Sequence, residues 1–104
     1  VLLQSGQVTE ALAAYQKGLE ISQKLAAADP SDAQAQRDLV FSHAKLGLAY
    51  RAAKEPAKSV AAFDQALAIA RRLKAEGKLA GAIDGLIAAL GSDRKKSADL
   101  DQPK

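Results

Sequence analysis

His43 is the single histidine of the chain, and no cysteine accompanies it. One imidazole with no thiol and no second imidazole excludes the ordinary zinc ligand sets. Ser42 precedes it, but neighbouring residues on a helix point about 100° apart, so hydroxyl and imidazole do not make a nucleophile and its base. Standing four residues before Gly47, His43 falls beside a packing stripe, which predicts a structural ring with one nitrogen hydrogen-bonded. Gly77-Lys78 fails as a phosphate loop, because Leu79 follows where Ser or Thr is needed and no glycine stands at the required upstream position. Catalysis needs several polar groups converging in one pocket. No such set is spelled out, so neither a catalytic residue nor a metal nor a cofactor is expected.

Charge and composition narrow the classes further. Fifteen Lys and Arg against twelve Asp and Glu leave a net charge of +3, and the basic residues are dispersed except at Arg71-Arg72, Lys74 and Arg94-Lys95-Lys96. Neither cluster has an aromatic beside it, so nucleic acid is not an expected partner. No run of about 18 apolar residues occurs, so no membrane span is expected and the chain reads as cytoplasmic. At 104 residues and 48% apolar, with 4% aromatic, it suits one all-α domain whose helices are packed closely by small side chains. It opens on Val1 rather than Met, which suggests a segment of a longer protein.

The elements follow from apolar spacing and breakers. Residues 1–5 read as the end of a helix, with Gly6-Gln7 as a turn. A helix over 9–28 has Leu12, Tyr15, Leu19, Ser22 and Ala26 in one stripe. Asp29-Pro30-Ser31-Asp32 ends it and starts the next, since the residue before proline avoids helical geometry and Ser31 or Asp32 can cap free amides. A helix over 32–53 buries Ala35, Leu39, Ser42, Leu46, Gly47, Tyr50 and Ala53, and is roughly 30 Å long at ~1.5 Å per residue. Lys54-Glu55-Pro56 makes a turn into a helix that runs to 75, with Val60, Phe63, Ala66, Leu67, Ala70 and Leu73 inward. Glu76-Gly77-Lys78 breaks the chain again. A shorter helix over 80–90 carries Ile83, Leu86, Ile87 and Leu90, with Gly81 and Gly85 packing closely on the helix before it. Residues 92–104 are polar and are expected to be a disordered tail beyond a helical domain of 1–91.

An internal repeat joins these pieces. At an offset of 48, Ala11 pairs with Ser59, Tyr15 with Phe63, Gly18 with Ala66, Leu19 with Leu67, Ile21 with Ile69 and Leu25 with Leu73. The same offset sets Leu2 against Tyr50, Gly6 against Lys54 and Leu39 against Ile87, and the copy of the first helix is expected to stop near Gly91. Within the unit, Leu46, Gly47, Tyr50, Ser59, Phe63 and Ala66 alternate small and large residues where two helices approach. That pattern resembles the tetratricopeptide repeat, whose signature is Leu-Gly, a following aromatic, then small, aromatic and small residues on the second helix. The usual unit has 34 residues. A heptad added to each helix drifts the packing face by only ~20°, so both helices can lengthen together. The long form is similar to the repeats of kinesin light chains and multidomain bacterial proteins.

The resemblance implies antiparallel hairpins stacked as a short right-handed α-solenoid with a C-terminal capping helix, Tyr50 and Phe63 sharing one hairpin core. It implies a non-catalytic scaffold that binds a protein or peptide in a concave groove. On the complete repeat that groove would carry Phe41, Ala44, Lys45, Leu48, Arg51 and Ala52, which lie off the packing stripe. Phe41 and Leu48 with Lys45 and Arg51 suit an extended peptide or amphipathic helix bearing acidic and apolar groups. In the alternative, Phe41 and Leu48 meet neighbouring repeats, and the segment is a spacer or a self-associating element that forms a homo-oligomer through its exposed terminal helices.

Overall fold

The computed structural model describes residues 5–79 and 81–101, in four helices. They are α1 (Ser5–Ala28), α2 (Ala33–Ala52), α3 (Pro56–Ala75) and α4 (Ile83–Leu100). Each packs antiparallel on the next, and α2 also touches α4. The all-α hairpin architecture is therefore as the apolar spacing predicts.

Two boundaries form through local chemistry. Asp32 is the N-cap of α2, its carboxylate accepting from the amides of Gln34 at 2.9 Å and Ala35 at 3.2 Å, which satisfies two of the donors a helix start leaves open. Pro56 takes the first turn of α3, where its missing amide costs nothing. Between α2 and α3, Lys54 adopts the left-handed conformation at φ 63°. Its amide and that of Glu55 return to the last carbonyls of α2, to Arg51 and Tyr50.

The core lies where α2, α3 and α4 meet. Val40, Phe63, Ala66, Leu67, Ala70, Leu73, Ile83 and Leu90 form it. Gly47 permits the closest approach: a Cβ there would stand 2.7–2.9 Å from three atoms of the Phe63 ring. Tyr50 does not share that core. It is half-buried, its hydroxyl takes a hydrogen bond from Gln16 on α1, and the Lys58 ammonium lies 5.9 Å from its ring centroid.

Several sequence expectations are corrected. Gly6-Gln7 is helical, not a turn. The helix end read at the N-terminus falls, apart from Ser5, outside the described residues. Gly81 and Gly85 pack against nothing: both would have open space around a Cβ, and Gly81, at φ 88°, serves the turn before α4. The largest difference concerns residues 92–100, which are helix instead of a disordered tail. The inward residue of this stretch is polar, which apolar spacing does not register. Ser97 is fully buried, and its hydroxyl lies 2.7 Å from that of Ser59, which donates its one proton to the Gly47 carbonyl at 2.6 Å. Ser97 is therefore the donor to Ser59. Arg94 also reaches Asp64, and Arg51 reaches Asp93.

Consequently the period of 48 holds across the whole fold. Shifted by 48, α2 falls on 81–100, which contains α4, and α3 shifted back falls on 8–27, inside α1. Contacts repeat as well: Gln36 Nε2 donates to the Ala26 carbonyl at 3.4 Å, and at the same place one repeat later Lys74 pairs with Asp84 at 2.8 Å. In α4 the position of Gly47 is held by Lys95, which is exposed.

A candidate protein-binding surface

The six residues expected to line a groove all lie on α2, but the packing of α1 and α4 divides them. Lys45, Leu48 and Ala52 face a cleft of about 280 Å3 whose other wall is Val8, Ala11 and Tyr15 of α1. Lys45 and Leu48 are exposed there. Ala44 packs instead against the hydrophobic core. Arg51 turns toward α4, where it donates to the Asp93 carbonyl at 3.2 Å and lies 3.5 Å from the Asp93 carboxylate. Phe41 is exposed, with the guanidinium of Arg37 5.7 Å from its ring centroid, which is within range of a cation–π attraction.

Arg51 and Lys45 therefore do not flank Leu48 as a matched pair. Among the described residues Lys45 has no ion-pair partner, and it stands in the cleft beside an apolar wall and one aromatic edge. Toward the other end of the same two helices, a second cleft of about 390 Å3 is lined by Leu25, Ala28, Asp32, Ala35 and Asp38, among others. Both clefts lie between α1 and α2, the first bordered by Lys45 and the second by the carboxylates of Asp29, Asp32 and Asp38.

Val8, Ala11 and Tyr15 were absent from the sequence-derived surface because helical spacing put Tyr15 on the packing stripe of its helix. The signal that could have found them was the offset of 48. It pairs Tyr15 with Phe63 and Ala11 with Ser59, and those copies are buried by a helix, α2, that has no counterpart over α1 among the described residues.

His43 is buried, and burial pushes its pKa below the usual imidazole value. Its ring makes no hydrogen bond among the described residues, contrary to the expectation of one bonded nitrogen. Desolvation alone accounts for the direction of the shift, since removal from water penalises the charged form. No group of His, Cys, Asp or Glu among the described residues could hold a metal ion, and no helix among them is long and apolar enough to cross a membrane.

No curated protein and no solved structure matches the chain. The model of one family does, described as tetratricopeptide repeat, over residues 44–73. The matched stretch runs from the middle of α2 through the Lys54 turn into α3, and so contains the Gly47–Phe63 contact and the Ser59 hydroxyl. Over that hairpin the chain is similar to the tetratricopeptide repeat family.

Proposed function

We propose that this chain is a non-catalytic interaction scaffold that binds a peptide or helix of a protein partner, bearing acidic and apolar groups, in the groove along α1 and α2. The observation that carries this reading is the cleft formed by Val8, Tyr15 and Leu48, open to solvent and bordered by the unpaired Lys45. Apolar surface of this kind is stabilised by being covered, and a lone ammonium beside it favours a carboxylate on whatever covers it. Arg51 contributes less than its sequence position suggests, because Asp93 already neutralises it.

Selection of binders from a random peptide library, on the chain and on a Lys45→Glu, Leu48→Asp variant, tests the reading. Acidic, apolar sequences that bind the chain and not the variant are expected, with the thermal melt of the variant unchanged because both residues are exposed. Binding should weaken as salt shortens the Debye length below about 8 Å. Sequences bound equally by both chains would defeat it.

Self-association is the second reading, favoured by Tyr15, Ile21 and Leu25, all exposed on α1. Molecular mass in solution measured over a range of concentration separates it from the first.

A further inference from the structure

We propose that the cleft where α1, α2 and α3 meet binds a small apolar monocarboxylate, its carboxylate held by the guanidinium of Arg72 and its body laid on Ala26, Ala27 and Leu39. The site lies apart from Lys45 and Leu48, so the inference goes beyond the scaffold reading and does not depend on it.

The cleft has a volume of about 380 Å3 and is lined by Gln36 and Leu39 of α2, Ala26 and Ala27 of α1, and Arg72 and Glu76 of α3, among others. Small-ligand sites begin near about 300 Å3. Gln36 is a polar side chain only 5% exposed, and both ends of its amide are engaged. Its Oε1 accepts from Arg72 Nη2 at 2.8 Å, and its Nε2 donates to the Ala26 carbonyl at 3.4 Å. Three helices therefore fix the guanidinium through one of its several N–H groups. Glu76 stands one turn along α3, at the spacing of a helical ion pair, yet its partner is Lys78 at 3.6 Å. Among the described residues Arg72 pairs with no carboxylate. An oriented guanidinium with N–H groups to spare offers the planar fork that a carboxylate fits bidentately.

The period of 48 explains why the cleft is open. Ala26 corresponds to Lys74 and Gln36 to Asp84, and between α3 and α4 those two close the equivalent place with their ion pair at 2.8 Å. With alanine in the place of lysine, no long side chain crosses the gap between α1 and α2. With glutamine in the place of aspartate, the buried group orients Arg72 without neutralising it.

Charge and surface then select the ligand. Arg72 and Lys78 against Glu76 leave a single positive charge around the cleft, which suits one carboxylate and not a phosphate. Ala26, Ala27 and Leu39, with Pro30 also on the lining, present apolar surface that a ring or a branched chain would cover.

Titration of the isotope-labelled full chain with benzoate at constant ionic strength, followed by NMR, tests this, with benzamide as the uncharged twin. Benzoate should give saturable shifts at the Gln36 side-chain amide, the Arg72 Nε–H and the backbone amides of Ala26 and Ala27, and benzamide should bind about tenfold more weakly. Arg72 is exposed, so Arg72→Gln should melt as the parent does while losing benzoate about tenfold. Arg72→Lys keeps the charge without the fork and should also weaken binding. Glu76→Gln removes a like charge and should strengthen it. Shifts that never saturate, that benzamide reproduces, or that survive in Arg72→Gln overturn the inference, and equal binding by Arg72→Lys reduces it to general attraction of anions. Phenylalanine bound more tightly than benzoate, and weakened by Glu76→Gln, would make the ligand a zwitterion and overturns it too. So would tighter binding of a peptide that carries the same ring and carboxylate at its C-terminus, which would place the group on a protein. Peptides selected at Lys45 and Leu48 should bind the Arg72→Gln chain as they bind the parent, so the two sites fail separately.

Discussion

At the scale of single residues, two opposed terms meet at Gly47. Alanine would add about 1 kcal/mol of helix propensity, but its Cβ would enter the Phe63 ring, which is fully buried and has nowhere to move. Overfilling of this kind costs roughly 1 to 3 kcal/mol, so Gly47→Ala should lower the urea midpoint and Gly47→Leu should lower it more. In a Phe63→Leu background the penalty of Gly47→Ala should shrink, which chemical denaturation of the four chains would measure. Gly18 is the control, since a Cβ there meets nothing and Gly18→Ala should stabilise. His43 makes a second prediction. Its folded pKa is lowered by burial, so the unfolded chain takes up the proton first as pH falls. Its contribution to stability is complete above the unfolded value of 6.5 and is lost as pH drops below that, toward the folded value. Denaturation midpoints should therefore fall between pH 7 and pH 5, a window above the ordinary carboxylate range. In His43→Gln that slope should flatten.

Among the elements, the boundaries at Asp29–Asp32 and Lys54–Pro56 were legible because proline and a capping carboxylate act locally, on residues within one turn. The extent of α4 was not. Its second half, from Asp93 on, has Leu100 as its one large apolar residue, and apolar spacing cannot register a helix whose inward contact is the Ser97 hydroxyl. That hydroxyl is satisfied only by Ser59, 38 residues earlier, a partner that no local pattern names. The expectation that follows is direct: in native-state hydrogen exchange, the amides of residues 93–98 should be protected as a continuous helix, and Ser97→Ala should reduce that protection. Ser59 keeps its bond to the Gly47 carbonyl, so the loss is that of one net hydrogen bond, about 0.5 to 1.5 kcal/mol, and the melt should fall by a correspondingly small amount. Exchange of 93–98 at the rate of an unstructured peptide would mean that the helix ends near Gly91. The groove was half legible for a related reason. Lys45 and Leu48 showed by spacing on one helix, whereas Tyr15 looked like core until the absence of a covering helix was seen.

Over the whole molecule, the helices form a slab of 41 × 29 × 18 Å, and 18 Å is about two helices deep at the usual 8–10 Å between packed axes. The slab has two unlike flanks. One is the α1 face, with Tyr15 and Leu25 in the open. On the other, α4 sets Lys95 where α2 sets Gly47, with Ala88 and Asp84 exposed in the places of Val40 and Gln36. The Lys95 side chain takes the space that Gly47 leaves for a ring, so a further helix of the α3 kind would have to displace it to seat there. In the language of polymers, self-association through these flanks, were it to occur, would have a valence of one. Head-to-tail contacts, which need two complementary faces and otherwise run on into filaments, have nothing to propagate through. Under the scaffold reading, raising the concentration should therefore leave single chains by light scattering, and pairs joined across the α1 faces would favour the self-association reading, with the mass levelling off at two chains. A mass that kept climbing would show that Lys95 does not close the flank on which it stands.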